Sequence, residues 1–329
     1  MRAWHSRLRK AGRQLLAHGL PAPRPGHRVA VVGLPRSGTS WLAKALSLGP
    51  GVSYYFEPDV LLPANPLYRY LPPEADEPVL ERALADHLDG RAVDEYVIAE
   101  QGLRELLARP RARIVLVKWV RTGLMLEWIG ACFPGLSLVQ IVRHPVPLFL
   151  SWRQRGWDPE FNLRQLLSQR ALMAGPLAPF ADTMCHAVGF WEQAAAFWGA
   201  MTWMQYRAHR PPWLLVEHEW ICLDAEPRIR LLAGLLGLPV GDGLAQFLSP
   251  RRNRVSGPGY GRARDPAAEV YKWQDAVTAV ELDSVAGVLE VFGLPFYPGL
   301  EPDRFEVPGS LSARGSQGSR TSTSSNMGS

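Results

Sequence analysis

Gly33 and Gly38 bracket four residues, Leu34-Pro-Arg-Ser37, and Thr39-Ser40-Trp41 follow at once. Upstream, Val29 to Val32 is a short apolar run rich in β-branched residues, the pattern of a buried parallel strand. Downstream, Trp41, Leu42, Ala45, Leu46 and Leu48 recur at helical spacing. A strand that ends in a glycine-bounded turn and feeds a helix N-terminus aims backbone N–H groups and the helix dipole at one point. That point binds phosphate-like anions. Arg36, inside the turn, adds a planar cation.

Three further charged residues follow apolar β-type runs. Glu57 comes after Val52 to Phe56, Lys118 after Ile114 to Val117, and Arg143 after Leu138 to Val142. Strands alternating with helices predict a parallel, doubly wound sheet. Ligands of such sheets sit outside the carboxyl ends of the strands. Arg36, Glu57, Lys118 and Arg143 therefore converge on one edge. Glu57, a carboxylate among cations, is suited to take a proton; the plainer alternative is an ion pair with Arg36 or Lys44 that only supports the fold. Arg143 reads equally as a strand-end salt bridge or as a fork that can hold a phosphate. The loop nearly matches the nucleotide-binding pattern Gly-x4-Gly-Lys-Ser/Thr, but Thr39 stands where the lysine that reaches the β/γ-phosphates belongs. It suits an anionic nucleotide tail better than hydrolysis of a magnesium nucleotide.

The elements that must position these residues are legible in outline. Helices are expected over about 74–108, with an acidic solvated face, and over 122–132, 146–155, 181–209 and 225–237. A fifth strand spans Trp213 to Val216, and Thr278 and Glu281 form a capping box for a last helix reaching about 292. Trp191, Phe197, Trp198, Met201, Trp203 and Tyr206, at helical spacing within 181–209, read as core. Residues 61–73 are Pro-rich loop, and 249–264 form a basic Gly/Pro-rich loop. From 309 the composition is Ser/Gly-rich, as expected for disorder.

Pro35-Arg36-Ser37-Gly38-Thr39-Ser40-Trp41 resembles the 5′-phosphosulfate-binding loop of sulfotransferases that use 3′-phosphoadenosine-5′-phosphosulfate (PAPS), in its arginine variant. Leu138-Val-Gln-Ile-Val-Arg-His-Pro145 resembles the strand and turn of that family's 3′-phosphate site, with Arg143 and Ser151 at the family's spacing. Leu214-Leu-Val-Glu-His-Glu219 resembles its late strand and brings in His218; Glu217 and Trp220 depart from the pattern. Arg251 to Lys272 resembles the basic loop that closes over the 3′-phosphate, with Tyr271-Lys272-Trp273 the nearest match to its end.

The resemblance implies a single α/β domain, doubly wound around a central parallel sheet, with a P-loop-like phosphosulfate-binding loop. The implied boundaries are 28–300, after a basic helix and linker at 1–27 and before a tail at 301–329. It implies PAPS as co-substrate without a metal, and a hydroxyl-bearing sugar, lipid or other small molecule as acceptor. Cytosolic members use a histidine base in a Lys-x-His segment; here Lys118-Trp119-Val120 puts valine in its place. Golgi-type members place a glutamate in a Phe-Glu-Pro context, which Tyr55-Phe56-Glu57-Pro58 resembles. Glu57 is thus the implied base, with Arg36 and Lys118 stabilising the transferred group and His144 an alternative base. A P-loop kinase or NTPase, and a non-catalytic nucleotide-binding adaptor, are the competing readings. The acceptor walls are placed by position at Pro63 to Pro73 and 153–180.

Among 329 residues, 47% hydrophobic and 20% charged, a sizeable core is assured. The net charge of +5 is carried by the N-terminal part, which has nine Lys/Arg and no acid before Glu57. Such a stretch suits a small polyanion, a nucleic acid or a membrane surface; the phosphate loop favours the small polyanion, and no nucleic-acid module appears. Residues 1–20 read as a basic, weakly amphipathic helix, either docked or in weak peripheral contact with a membrane. No apolar run is long enough for a transmembrane span. Three widely spaced cysteines, Cys132, Cys185 and Cys222, read as buried thiols of a reducing, cytoplasmic compartment.

Overall fold

A computed structural model describes residues 12–62, 67–249, 265–297 and 300. Five strands form one all-parallel sheet: β1 (His27–Val32), β2 (Val52–Phe56), β3 (Ile114–Trp119), β4 (Ser137–Val142) and β5 (Leu214–Glu217), in the order β2-β3-β1-β4-β5. Each matches an apolar run expected from the sequence. A parallel sheet is covered on both faces, so its strands read as unbroken apolar segments. Lys118 is a correction in register: it lies inside β3, one residue before its end, and not past it.

β1 leads through α1 (Thr39–Leu46) to β2 on one side, whereas β4 leads on to β5 on the other. Strands β1 and β4 are neighbours whose onward connections diverge, so a crevice opens beyond their carboxyl ends. The α1 residues Leu42, Ala43 and Leu46 pack with Val29, Val31, Val139 and Ile141 on one face, joined by Ile229 and Leu232 of α7 (Ala225–Leu235). On the other face, Ala30, Val32, Val115 and Val117 meet Leu80, Leu84 and Leu88 of α2 (Pro78–Leu88) and Trp128 and Ile129 of α3 (Leu126–Cys132). A further core gathers Val146, Phe149 and Trp152 of α4 (Pro145–Arg153), Phe197, Trp198 and Met201 of α5 (Gly189–Arg207), and Val285 of α8 (Ala279–Glu290). The capping box expected at Thr278 and Glu281 is present.

Two expected helices are broken, each at a left-handed glycine. The 74–108 stretch holds α2, an irregular segment from Asp89 to Gly102, and a short helix Leu103–Ala108. Gly90, at φ +67°, turns the chain out of α2. The 181–209 stretch is Ala181–His186 and then α5. Ala187 is extended, Gly189 has φ +67°, and the Glu192 side chain accepts from the Val188 N–H at 3.0 Å.

Trp191 and Trp203 are only half-buried and Tyr206 is exposed, so the expected core stripe is narrower than read. Cys222 is buried, Cys132 half-buried and Cys185 exposed, which corrects the expectation of three buried thiols. The described turns of the N-terminal helix, 12–19, dock on the body: Ala17 is buried, Arg13 donates to the Ile98 carbonyl, and Arg109 donates to the Ala17 carbonyl. No helix among the described residues is long and apolar enough to cross a membrane. Pro63, Pro66, Arg251 to Arg264 and the 301–329 tail lie outside the described residues.

Candidate active site

The loop after β1 is built to stay fixed. Gly33 cannot bear a side chain, because a Cβ there would lie 2.6 Å from the Ile141 carbonyl oxygen. Gly38, at φ +90°, is closed in the same way by His218, whose ring carbon would meet a Cβ at 2.1 Å. The Ser37 hydroxyl donates to the Leu34 carbonyl at 2.6 Å and so closes the turn. No side chain caps the start of α1, which leaves its first N–H groups for an anion.

Arg36 is left-handed at φ +77°, a costly conformation for a residue with a side chain. Three contacts from beyond β4 hold it and its neighbour. Arg36 Nε donates to Ser151 Oγ at 3.0 Å, Arg143 donates to the Arg36 carbonyl at 2.7 Å, and Trp152 Nε1 donates to the Pro35 carbonyl at 3.1 Å. The structure thus brings Arg143 and Ser151 onto Arg36 itself.

A cleft of about 870 Å³ opens in front of the loop, within the range of small-molecule sites. Pro35, Arg36, Gly38, Thr39, Ser40 and Trp41 line one side, and Glu57 and Lys118 the floor. Residues 94–96 and 98–100 with Arg13, Gln14, Phe56, Val120, Arg121, Arg155 and Trp157 complete it. The residues expected to converge from the ends of β1, β2 and β3 do so. Ser37, Arg143, Ser151, His218, Lys272 and Trp273 do not line this cleft. Trp273 is buried and stacks on His144 with ring centroids 4.5 Å apart, and Lys272 is exposed and paired with Glu269. His218 packs 6.1 Å from Trp41, ring to ring, on the far side of Gly38.

Glu57 carries the densest interactions of the cleft. It sits at φ +44°, in the left-handed region, where its main chain turns from β2 into a 3-10 turn, Pro58–Leu61. Lys118 Nζ donates to Oε1, Tyr96 donates its hydroxyl to Oε2 at 2.6 Å, and Arg121 stands 3.8 Å from Oε2. Burial pushes the carboxyl up, but Lys118, with smaller help from the Tyr96 hydrogen bond and Arg121, holds it below the usual glutamate range. Glu57 does not pair with Arg36 or Lys44; Lys44 pairs with Glu105 at 3.0 Å. Burial also lowers the Lys118 ammonium, against the opposing pull of Glu57.

Asp59 and Tyr96, together with the Arg121 that Asp59 positions, escaped the sequence reading. Asp59 is fully buried and accepts from the Val120 and Arg121 N–H groups at 2.7 and 2.6 Å, fixing the turn that presents Arg121. Burial raises its carboxyl to about 6. Tyr96 lies in the irregular segment that the acidic 74–108 stretch concealed. Only the Pro directly after Glu57, and the aromatic among the acids at 94–100, hinted at either. His144 is corrected as an alternative base. It is buried against Trp273 and Tyr297, and burial lowers its imidazole to about 3. Among the described residues, no group of three or more His, Cys, Asp or Glu side chains is arranged to hold a metal ion.

At the end of β5, Glu219 is buried, accepts from the Tyr297 hydroxyl at 2.7 Å and from the His144 N–H, and stands 4.0 Å from Arg143. Burial, and then the Glu219 charge, raise Glu217 to about 8.

No family model matches this chain, and no curated protein sequence does. It is similar to the solved sulfotransferase domain of the Synechococcus PCC 7002 olefin synthase, with 17% identity over 84% of this chain and 98% of that one, at a TM-score of 0.47. It is also similar to the sulfotransferase domain of the curacin biosynthetic pathway, with 14% identity over 82% and 99% of the chains, at 0.43. A mouse sulfotransferase complexed with PAP matches with 14% identity over 81% and 84%, at 0.42.

Proposed function

We propose that this protein is a sulfotransferase that moves a sulfuryl group from PAPS to a hydroxyl of a sugar, lipid or other small-molecule acceptor. The observation that carries the reading is the placement of Glu57, held ionised by Lys118 and Arg121, across one cleft from a glycine-bounded anion loop that contains Arg36. The motif of that loop points to phosphosulfate, and the loop fits an anionic nucleotide tail. Its helix start is uncapped, Gly38 leaves no room for a side chain between anion and His218, and Arg36 faces the cleft on a hydrogen bond to Ser151.

In this reading the amides of residues 37–41 and Arg36 hold the donor's 5′ end, with the Trp41 ring at the side of the site. Arg143, Ser151 and His218 position the loop, and Arg143 is assigned to the second phosphate by its place after β4. Lys272 and Trp273 flank the basic segment assigned to the 3′-phosphate. Glu57 takes the acceptor's proton. Its low proton affinity delays that transfer until the acceptor oxygen has begun to bond to sulfur, when the hydroxyl turns strongly acidic. Arg36 and Lys118 steady the charge that grows on the departing phosphate oxygen and on the sulfuryl group. The three free cysteines suit a reducing compartment, the cytoplasm.

Calorimetry with PAP in the absence of Mg²⁺ tests the donor site. Binding that weakens at least tenfold in Arg36→Ala is expected. Magnesium-dependent ATP turnover without PAP binding would favour a phosphotransferase instead.

A further inference from the structure

The carboxylate of Glu57 lines the cleft with both of its oxygens already engaged. Oε1 is taken by Lys118, a buried side chain. Oε2 receives the Tyr96 hydroxyl at 2.6 Å, with Arg121 at 3.8 Å. Of these groups Tyr96 is the exposed one, whereas Glu57 and Arg121 are half-buried and Lys118 is buried. Tyr96 also lines the cleft, and its ring is fixed edge-on against Phe56, with centroids 5.2 Å apart. Tyr96 is thus the exposed neighbour of Glu57 on the cleft wall, with its hydroxyl on Oε2.

We propose that Tyr96 is a catalytic residue of the reaction proposed above, and that it relays the acceptor's proton to Glu57. This inference rests on that reading of the cleft. The acceptor oxygen forms its bond to sulfur as the bond from sulfur to the bridging phosphate oxygen breaks, and that oxygen leaves with the electron pair. The acceptor's proton passes to the Tyr96 oxygen while the Tyr96 proton passes along the existing hydrogen bond to Glu57 Oε2. Tyr96 is neutral before and after, and Glu57 ends protonated. The tyrosine suits that part because burial and the adjacent Glu57 charge raise its phenol well above the ordinary range, so it holds a proton to donate at neutral pH. A free phenolate is costly at this raised phenol, so the two proton movements are coupled and none forms.

The test uses the full chain with PAPS and methanol as the acceptor probe, counting methyl sulfate and free sulfate by mass. Tyr96→Phe keeps the ring on Phe56, so the unfolding temperature and the PAP affinity should stay at wild-type values. Its turnover should fall about a hundredfold to ten-thousandfold, the span of a lost proton-transfer group. The dependence of methyl sulfate formation on deuterium content separates relay from positioning. Wild type should give a bowed plot, from two protons in flight, and Tyr96→Phe a straight one.

A Tyr96→Phe rate within threefold of wild type overturns the relay and leaves the sulfotransferase reading standing. So does a slow variant that keeps the bowed plot. Wild-type protein that forms neither product overturns both.

Discussion

The molecule places a glutamate at the carboxyl end of β2 and another at that of β5, and it treats them in opposite ways. Glu57 meets Lys118 and, at 3.8 Å, Arg121, which it shares with Asp59 at 3.7 Å, and its proton affinity falls despite burial. At the β5 end, burial raises both Glu217 and Glu219; the Glu219 charge raises Glu217 further, and Arg143 offsets the rise of Glu219 only in part. Arg143 also spends a donor on the Arg36 carbonyl. Glu57 and Glu217 are both half-buried, so the cation beside Glu57 decides which of the two is an ionised base and which stores a proton.

Breaking the compensated end should have the largest effect. Lys118→Met leaves Glu57 half-buried with Arg121 alone, and removal of one partner from a buried pair costs about 3 kcal/mol. Denaturant unfolding measures the loss. The same variant should raise the pH at which activity declines in acid, because burial then acts on Glu57 with less opposition. In wild type, Glu57 stays ionised from neutral pH down past the ordinary glutamate range, so kcat/KM should show no acid limb between pH 5 and 8 from this group. A limb near pH 6.5 would point to histidine instead.

Next in size is Gly38→Ala. It needs a left-handed alanine with its methyl in the His218 ring. PAP affinity should fall at least tenfold while the sheet survives, as circular dichroism with calorimetry would show.

The other end makes a pH prediction. Folded Glu217 keeps its proton up to about pH 8, whereas an unfolded glutamate loses it near 4.5. Between those values the folded chain binds more protons, so its stability falls as pH rises. Glu217→Gln should flatten that slope and stabilise the protein at pH 9 by on the order of 1 kcal/mol, read from unfolding at pH 5 and 9. The smallest effect is expected at Lys272, whose pair with Glu269 is exposed. Lys272→Ala should change stability by no more than about 0.5 kcal/mol.

All five strands and the phosphate loop were legible because buried parallel strands leave unbroken apolar runs and the loop needs glycines at fixed spacing. Arg36, Glu57 and Lys118 were legible for a related reason: topology puts strand ends on one edge, whatever the loops do. Tyr96, Arg121 and Asp59 were not. Tyr96 lies on an irregular segment with no period, released by Gly90 from a stretch whose acids read as a helix face. Asp59 acts through the 120–121 N–H groups and the Arg121 side chain, some sixty residues away. Arg143 and Ser151 were legible as a pair, but their bonds to Arg36 depend on how α4 packs behind the loop, which local spacing does not encode.

The most direct measurement pairs two readouts on Glu57→Gln: calorimetric affinity for PAP without Mg²⁺, and sulfuryl transfer from PAPS. Glutamine keeps the shape and a hydrogen bond to Tyr96 but cannot take a proton. PAP affinity should stay within about twofold of wild type while transfer falls about a hundredfold or more. Transfer at the wild-type rate, or loss of PAP binding together with the fold, would contradict Glu57 as the base of this cleft.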